Sequence, residues 1–227
     1  MPVFDPKKFA VSETQPIPIV MLLDISSSMG GEKINSLNKA VKEMIVSFAN
    51  EMGEFSTVIS IFSFGGDAKC LYDPPYKKSS EIEWNDLAVS GDTPMGKALK
   101  KAKELVEDKE ATKGKWYRPT VILVSDGQPT DDWGKHMTAF IKEGRSSKCD
   151  RMAMAIGQGA DENVLRQFIA GTENQLFYAH NAKDIKSFFK LVFMSISKRS
   201  RSSNPNMLLL PPPLEKENTS NDYDDFF

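Results

Sequence analysis

The sequence predicts an α/β fold in which strand–helix units build a mainly parallel sheet. Apolar runs of strand length alternate along the chain with segments whose apolar residues recur every three or four positions. The 227 residues, 40% hydrophobic and 26% charged, are also enough for one domain with a full core. We therefore expect a folded domain over residues 15–197, an N-terminal arm over residues 1–14 and a flexible tail over residues 198–227.

The first half of the chain contains three predicted strands and two predicted helices. Residues 19–23 are all apolar, and residues 57–64 are rich in β-branched and aromatic side chains, so both segments are expected to be strands. Residues 33–50 and 95–106 carry apolar side chains at helical spacing, which predicts amphipathic helices. The proline-containing stretch 70–89 predicts an edge strand followed by a loop, because proline is tolerated best at the edge of a sheet.

The second half continues the alternation. The apolar run 121–124 lies between Pro119 and Gly127 and predicts a central strand that is covered on both faces. Residues 152–156 predict another strand, and residues 176–178 a last edge strand. Helical periodicity recurs over residues 136–144, 162–170 and 184–197.

Charge excludes one broad class of function. The 29 basic and 31 acidic side chains give a formal charge of −2, which excludes a protein that coats nucleic acid through bulk positive charge. The segment Lys198-Arg199-Ser200-Arg201 is the one short basic cluster, and residues 204–227 hold five acidic side chains against one lysine. Partner choice is therefore expected to come from a defined site.

Cysteine content and hydropathy indicate where in the cell the protein is expected to be. Cys70 and Cys149 are the only cysteines, too few for a disulfide framework or a four-cysteine zinc site, and we expect both to be buried thiols. The apolar runs are too short to span a membrane, and the start of the sequence lacks the basic leader of a signal peptide. These observations predict a cytoplasmic protein without membrane contact.

Three loops that follow predicted strands or precede predicted helices carry small oxygen-bearing side chains. The loops cover residues 24–28, 91–96 and 125–127, and in open α/β sheets ligands bind at the carboxyl ends of the strands. They supply two carboxylates and three hydroxyls, those of Asp24, Ser26, Ser28, Thr93 and Asp126. An oxygen-only set suits a hard cation, Mg²⁺ above all, with Mn²⁺ or Ca²⁺ as substitutes. Because three donors are neutral, the metal would keep positive charge for one more anionic oxygen.

Each loop taken alone has an ordinary structural explanation. Serine and aspartate just before a helix are typical N-caps, and Asp126-Gly127 is a typical turn. The three motifs in this order, separated by helix-sized spacers, favour a metal site.

Together the motifs resemble the metal-ion-dependent adhesion site, or MIDAS, of von Willebrand factor A (VWA) domains. The resemblance covers residues 15–197 and implies a Rossmann-like three-layer αβα sandwich, with a mostly parallel sheet and one antiparallel edge strand. It implies that Ser26, Ser28 and Thr93 bind the metal through their hydroxyls, while Asp24 and Asp126 act directly or through water. It also implies a non-catalytic module that captures a Glu or Asp side chain of a partner protein.

The motifs also resemble a narrower group. Thr93-Pro94-Met95-Gly96 and the segment from Asp126 to Trp133 are similar to the bacterial TerY-type branch, which is associated with tellurium-resistance and related stress operons. This resemblance implies a stress or signalling role, with a kinase or PP2C-type phosphatase encoded nearby as the partner.

Further residues are candidates for partner contact. Asp92, Asp131, Asp132 and Trp133 lie beside the metal loops and are expected to form the rim of the site. The Asp131–Asp132 pair either orients metal-bound waters or caps the next helix, and we favour the cap. Trp133 is either a partner anchor or a half-buried packing residue.

The acidic tail ends in aromatic residues, which is typical of a short docking peptide, although a solubilising end is an equal alternative. The candidate docking residues are Tyr223, Asp224, Asp225, Phe226 and Phe227. A tail carboxylate could also occupy the open metal position and inhibit the site.

Two other functions have less support from the sequence. A Mg²⁺-dependent phosphatase or phosphotransferase would use Asp24 as its nucleophile, but such enzymes need a second carboxylate where this chain has Ser26. A DNA-associated VWA protein would need a basic stripe interleaved with aromatic residues, and the sequence has none.

Overall fold

The computed structural model describes residues 15–51, 57–202 and 204–206, which form a three-layer αβα sandwich. The strands are β1 (Ile17–Asp24), β2 (Thr57–Gly65), β3 (Asp67–Cys70), β4 (Lys77–Lys78), β5 (Thr120–Ser125), β6 (Asp150–Ile156) and β7 (Phe177–Ala179). The helices are α1 (Glu32–Asn50), α2 (Met95–Glu107), α3 (Trp133–Lys142), α4 (Glu162–Ile169) and α5 (Ala182–Ser200). The predicted N-terminal arm, residues 1–14, lies outside the described residues.

The sheet has the order β3-β2-β1-β5-β6-β7, and β1, β2, β5, β6 and β7 run parallel. β3 pairs antiparallel with β2 at the edge, and the two-residue β4 pairs antiparallel with another part of β2. The mostly parallel sandwich with an antiparallel edge strand is thereby confirmed. β3 ends at Cys70, before most of the stretch 70–89 in which the sequence predicts an edge strand, and the two-residue β4 lies within that stretch.

Strand β1 is the centre of the core, because all eight of its residues are buried. Ile19, Met21 and Leu23 pack on the face covered by α1 and α5. Val20 and Leu22 pack on the opposite face, against the core residues of α2, α3 and α4. A parallel strand between two helical layers must be apolar on both sides, which explains the uninterrupted apolar run.

The order of the strands creates a crevice at one point of the sheet. From β1 the chain crosses through α1 to β2 on one side, whereas β5 lies on the other side of β1. Where neighbouring strands diverge in this way, the connections leave the sheet in opposite directions, and ligands bind between them. Asp24 ends β1, and Asp126 directly follows β5, so both lie at this point.

The residues that directly follow position 197, the predicted end of the domain, belong to a helix. Helix α5 continues to Ser200, and Arg199 follows Ile196 by three residues, which places it on the inner face of the helix. Its side chain is 0% exposed and donates hydrogen bonds to Thr120 Oγ1 at 2.6 Å and to the carbonyl of Pro205 at 3.0 Å. The basic cluster is therefore partly a packing element, and residues 207–227 of the predicted tail lie outside the described residues.

Two further expectations concern cysteines and membranes. Cys149 is buried, and its burial raises the pKa of the thiol to about 12, whereas Cys70 is only partly buried. Both are free thiols. In the part of the chain that the structure describes, none of the helices combines the length and apolarity that a membrane span requires.

We predict that Arg199→Ala lowers the free energy of unfolding by about 3 kcal/mol, because it leaves a buried carboxylate without its cation. That carboxylate is Asp150 Oδ2, which lies 4.0 Å from Arg199 Nη1. Urea unfolding monitored by circular dichroism measures the change. Arg201→Ala is the matched control: this side chain is 69% exposed and pairs with Glu51 at 2.7 Å, so its loss should cost less than about 1 kcal/mol. Equal effects of the two substitutions would contradict the buried role of Arg199.

Candidate metal centre

The structure brings the five predicted metal residues together at the crevice between β1 and β5. Asp24 is the last residue of β1, and Ser26 and Ser28 lie in the short turn that leads into α1. Thr93 lies just before α2, and Asp126 follows β5. Three loops that are far apart in the sequence thus meet at one edge of the sheet.

The hydroxyl groups and one carboxylate form a continuous chain of oxygen atoms. Ser26 Oγ and Ser28 Oγ lie 3.0 Å apart, and Ser28 Oγ donates to Asp126 Oδ1 at 2.7 Å. Thr93 and Ser28 both lie close to Gly127. A Cβ atom built on this glycine would be 3.5 Å from Ser28 Oγ and 3.7 Å from Thr93 Oγ1. The oxygens of all three loops therefore face one small region.

Asp24 lies on the buried side of this region, at the end of β1. Its side chain is 0% exposed, its Oδ1 accepts a hydrogen bond from Ser26 N at 2.8 Å, and its Oδ2 accepts one from Ser125 Oγ at 2.5 Å. Burial raises the pKa of Asp24, while the hydrogen bonds from Ser125 and Ser26 oppose that rise. In this conformation Asp24 anchors the first loop and places a negative charge beside the hydroxyl groups.

Asp126 has a cationic partner that the sequence analysis missed. Lys33 Nζ lies 2.7 Å from Asp126 Oδ2 and donates a second hydrogen bond to the carbonyl oxygen of Ser28 at 3.2 Å. The lysine side chain is 19% exposed and the Asp126 carboxylate is fully buried. A lysine at the start of a helix carries no sequence signal for such a contact, because its partner lies 93 positions away in the chain.

Ser125 is the second functional residue that was missed. The register pairs Leu23 with Val124, which brings Ser125 alongside Asp24. Its position directly before Asp126 was visible in the sequence. Its hydrogen bond to Asp24, however, depends on which strand neighbours β1, and that information is tertiary.

In the structure the third loop continues to residue 132, before α3, and this loop and the second loop hold each other through polar contacts. Thr93 N donates to Thr130 Oγ1 at 3.1 Å, and Thr130 N donates to the carbonyl of Thr93 at 3.0 Å. Asp131 accepts hydrogen bonds from the backbone of Gly96 and Lys97, both at 2.9 Å. Asp131 therefore caps α2, not the helix that follows it in sequence, which corrects the predicted cap.

The other rim residues divide into exposed and packed side chains. Asp132 is at the N-cap position of α3 without a capping hydrogen bond; its side chain is 72% exposed and pairs with Lys135 at 2.6 Å. Asp92 is also exposed. Trp133 is half-buried against the core beneath α2–α4, as the packing interpretation predicted. The candidate docking residues 223–227 lie outside the described part of the chain.

Two glycines permit the close approach of these loops. A Cβ atom on Gly96 would lie 2.7 Å from Trp133 Cα, so any larger residue would push the start of α2 away from the start of α3. Gly91 has a positive φ of 55°, and a Cβ there would lie 2.7 Å from Gly66 Cα. The backbone itself therefore forms part of the packing around the site.

The donor set fits a hard divalent cation. Neighbouring ligands of an octahedral site with metal–oxygen distances of ~2.1 Å lie roughly 3.0 Å apart. The Ser26–Ser28 separation of 3.0 Å and the Ser28–Asp126 separation of 2.7 Å are close to this value. Among the described residues, no group of three or more His, Cys, Asp or Glu side chains offers a metal site. The cluster is instead rich in hydroxyls and low in negative charge.

This fold and loop arrangement define the class of protein. The family model of the von Willebrand factor type A domain matches residues 19–191, and the chain belongs to this family. A search of curated proteins gave no match.

Solved structures with the same fold come from distant relatives. The ArnB paralog VWA2 from Sulfolobus acidocaldarius has a TM-score of 0.60 and 19% identity, over 81% of this chain and 46% of that one. Proximal thread matrix protein 1 from the mussel byssus, with a zinc-occupied MIDAS motif, has a TM-score of 0.58 and 19% identity, over 79% and 48% of the two chains. A von Willebrand factor type A protein from Catenulispora acidiphila has a TM-score of 0.58 and 15% identity, over 80% and 42%. This chain thus spans less than half the length of these three solved chains.

We predict that Asp131→Ala lowers the free energy of unfolding by about 1–2 kcal/mol, because two backbone donors at the start of α2 lose their acceptor. Amide hydrogen exchange of Gly96 and Lys97 should become faster in this variant. Asp132→Ala removes a neighbouring carboxylate that is exposed and should change stability by less than about 0.5 kcal/mol. A larger loss for Asp132→Ala than for Asp131→Ala would contradict the assigned cap.

Proposed function

We propose that the protein is a non-catalytic, Mg²⁺-dependent protein-binding module. Ser26, Ser28 and Thr93 would bind the metal through their hydroxyls, and Asp24 and Asp126 would act directly or through water. A Glu or Asp side chain of the partner would complete the coordination. The observation that carries the proposal is the contact of the Ser26 and Ser28 hydroxyls with each other and with Asp126 Oδ1, with the Thr93 hydroxyl close to the adjacent Gly127.

The charge balance of the site supports capture of an anion. The two carboxylates and Lys33 together leave a charge of minus one, and a divalent cation would make the site positive. Hydroxyl ligands add no negative charge, so such a metal retains affinity for a further carboxylate. Mn²⁺ or Ca²⁺ would serve as substitutes, and the zinc in the MIDAS motif of the mussel protein agrees with a divalent ion in such a site.

The narrower biological role remains part of the proposal. We place the protein in a bacterial TerY-type stress or signalling system in the cytoplasm, with a kinase or PP2C-type phosphatase as the partner. The support is the sequence Asp126-Gly127-Gln128-Pro129-Thr130-Asp131-Asp132-Trp133. Within it, Thr130 and Asp131 hold the loop that carries Thr93.

The geometry favours binding over the alternative chemistry. An aspartyl nucleophile must reach its substrate, whereas the Asp24 side chain is 0% exposed and is held at the end of β1 by hydrogen bonds from Ser26 N and Ser125 Oγ. DNA binding through the basic cluster is also less favoured, because Arg199 is buried and Arg201 pairs with Glu51.

Metal binding tests the donor set directly. We predict that Thr93→Val and Ser28→Ala each weaken Mg²⁺ or Mn²⁺ binding by about tenfold or more in isothermal titration calorimetry, because each removes one oxygen ligand. The matched control is Ser27→Ala in the same turn, since the Ser27 hydroxyl donates to the carbonyl of Gly91 at 3.1 Å and does not join the oxygen cluster. Equal metal affinity in all four proteins would refute the proposed ligands.

The same variants test partner capture. Pull-down from the native cell in Mg²⁺ should recover a partner with the unmodified chain and with Ser27→Ala, and lose it with Thr93→Val or in excess EDTA. A partner that is retained equally in EDTA and by Thr93→Val would show that binding does not use the metal.

Truncation tests whether the acidic tail occupies the open metal position. The truncation should follow Asn206, because Pro205 and Asn206 accept hydrogen bonds from Arg199 and from the backbone of Arg118. We predict that a chain ending at Asn206 binds an acidic partner several-fold more tightly than the full chain, measured at saturating Mg²⁺. Unchanged affinity would remove the inhibitory role of the tail and leave the metal centre as proposed.

A further inference from the structure

Lys33 contributes a fixed positive charge to a site whose other charged groups are acidic. It belongs to the first turn of α1, and its Nζ lies 2.7 Å from Asp126 Oδ2. Its chain passes the end of β6, where a Cβ atom built on Gly157 would lie 3.6 Å from Lys33 Cε and 3.7 Å from Nζ. The ammonium group is thus held between the first loop and the ends of β5 and β6.

The contacts of Lys33 leave the oxygen cluster intact. The ammonium binds Asp126 Oδ2 and the carbonyl of Ser28, whereas the Ser28 hydroxyl binds Asp126 Oδ1. Each oxygen of Asp126 therefore has its own partner. A cation that approached the hydroxyl groups would reach the Oδ1 side of this carboxylate without displacing the lysine.

The charge balance gives this contact a consequence for binding. Asp24 and Asp126 are both buried, and an ammonium beside one of them reduces the attraction for a divalent cation. With the metal bound and Lys33 still in place, the site would carry one net positive charge. Without Lys33 the same metal would be neutralised by the two carboxylates.

We propose that Lys33 is the built-in counter-charge of the metal centre: it weakens divalent-metal binding and, in the metal-loaded protein, strengthens binding of the incoming carboxylate. The inference rests on the proposed function, because it concerns the same site. It assigns to this lysine a positioning and affinity-setting role without making it a metal ligand. It also explains how the buried Asp126 carboxylate is stabilised before a metal binds.

The test compares Lys33→Met, which keeps an apolar stem of similar length, with Lys33→Arg, which keeps the charge. Lys39→Met is the matched control, because it removes the same charge from an exposed position of the same helix. Calorimetry with Mn²⁺ measures metal affinity. Titration of the Mn²⁺-saturated proteins with acetate, followed by water-proton relaxation, measures carboxylate binding, and acetamide at constant ionic strength is the neutral control.

We expect opposite shifts in the two measurements. Lys33→Met should bind Mn²⁺ about tenfold more tightly and acetate several-fold more weakly than the unmodified chain, while Lys33→Arg and Lys39→Met stay within about twofold for both. If Lys33→Met folds poorly without metal, Mn²⁺ should raise its melting temperature by more than that of the unmodified chain, which supports the same role.

Three outcomes would overturn the inference. Equal Mn²⁺ affinity in Lys33→Met and the unmodified chain would show that the lysine does not oppose the metal. Tighter metal binding with unchanged acetate affinity would show that the lysine leaves the site when the metal arrives. An unmodified chain that binds no Mn²⁺ would instead refute the metal centre of the proposed function, and the inference would fall with it.

Discussion

The arrangement of the site depends on one buried carboxylate at the end of the central strand. Asp24 follows an apolar strand that both helical layers cover, so its charge would be costly without hydrogen bonds. The backbone N–H of Ser26 and the hydroxyl of Ser125 supply them, and these two groups belong to different segments, the first loop and the end of β5. Satisfying this single carboxylate therefore fixes the first turn after β1 and ties it to the end of β5, which is where the strand order makes a crevice.

The second loop is held by hydrogen bonds at both of its ends. Its start is bound to the first loop, because Ser27 N donates to the carbonyl of Gly91 at 3.0 Å. Its end is bound to the third loop, because Thr130 pairs with Thr93 and Asp131 caps α2. Each of the three loops thus restrains at least one of the others. These hydrogen bonds between loops hold the oxygen cluster in position before a metal binds, so most of the proposed ligands would need little rearrangement.

The two carboxylates in this crevice are stabilised by different neighbouring groups. Asp24 receives only hydrogen bonds from neutral donors, whereas Asp126 receives a hydroxyl on one oxygen and the ammonium of Lys33 on the other. This division distributes a small net negative charge around neutral hydroxyls. Such a site attracts a divalent cation without neutralising it, which is the electrostatic condition for binding an external carboxylate. The VWA fold provides the framework, and these few contacts would set the strength of the two binding steps.

The α/β alternation, the mostly parallel sheet and the loops with the oxygen donors could all be predicted from the sequence, because hydrophobic periodicity and strand-end motifs are local properties. The sequence also indicated that residues such as Thr93 and Asp126 belong to one site. Tertiary structure alone decided that Asp131 caps α2 and that Arg199 is buried, since both depend on elements distant in the chain. The same holds for Lys33, whose partner lies 93 positions away. A sequence motif shows which side chains could form a site, whereas the packing of loops and strands decides which of their atoms come into contact.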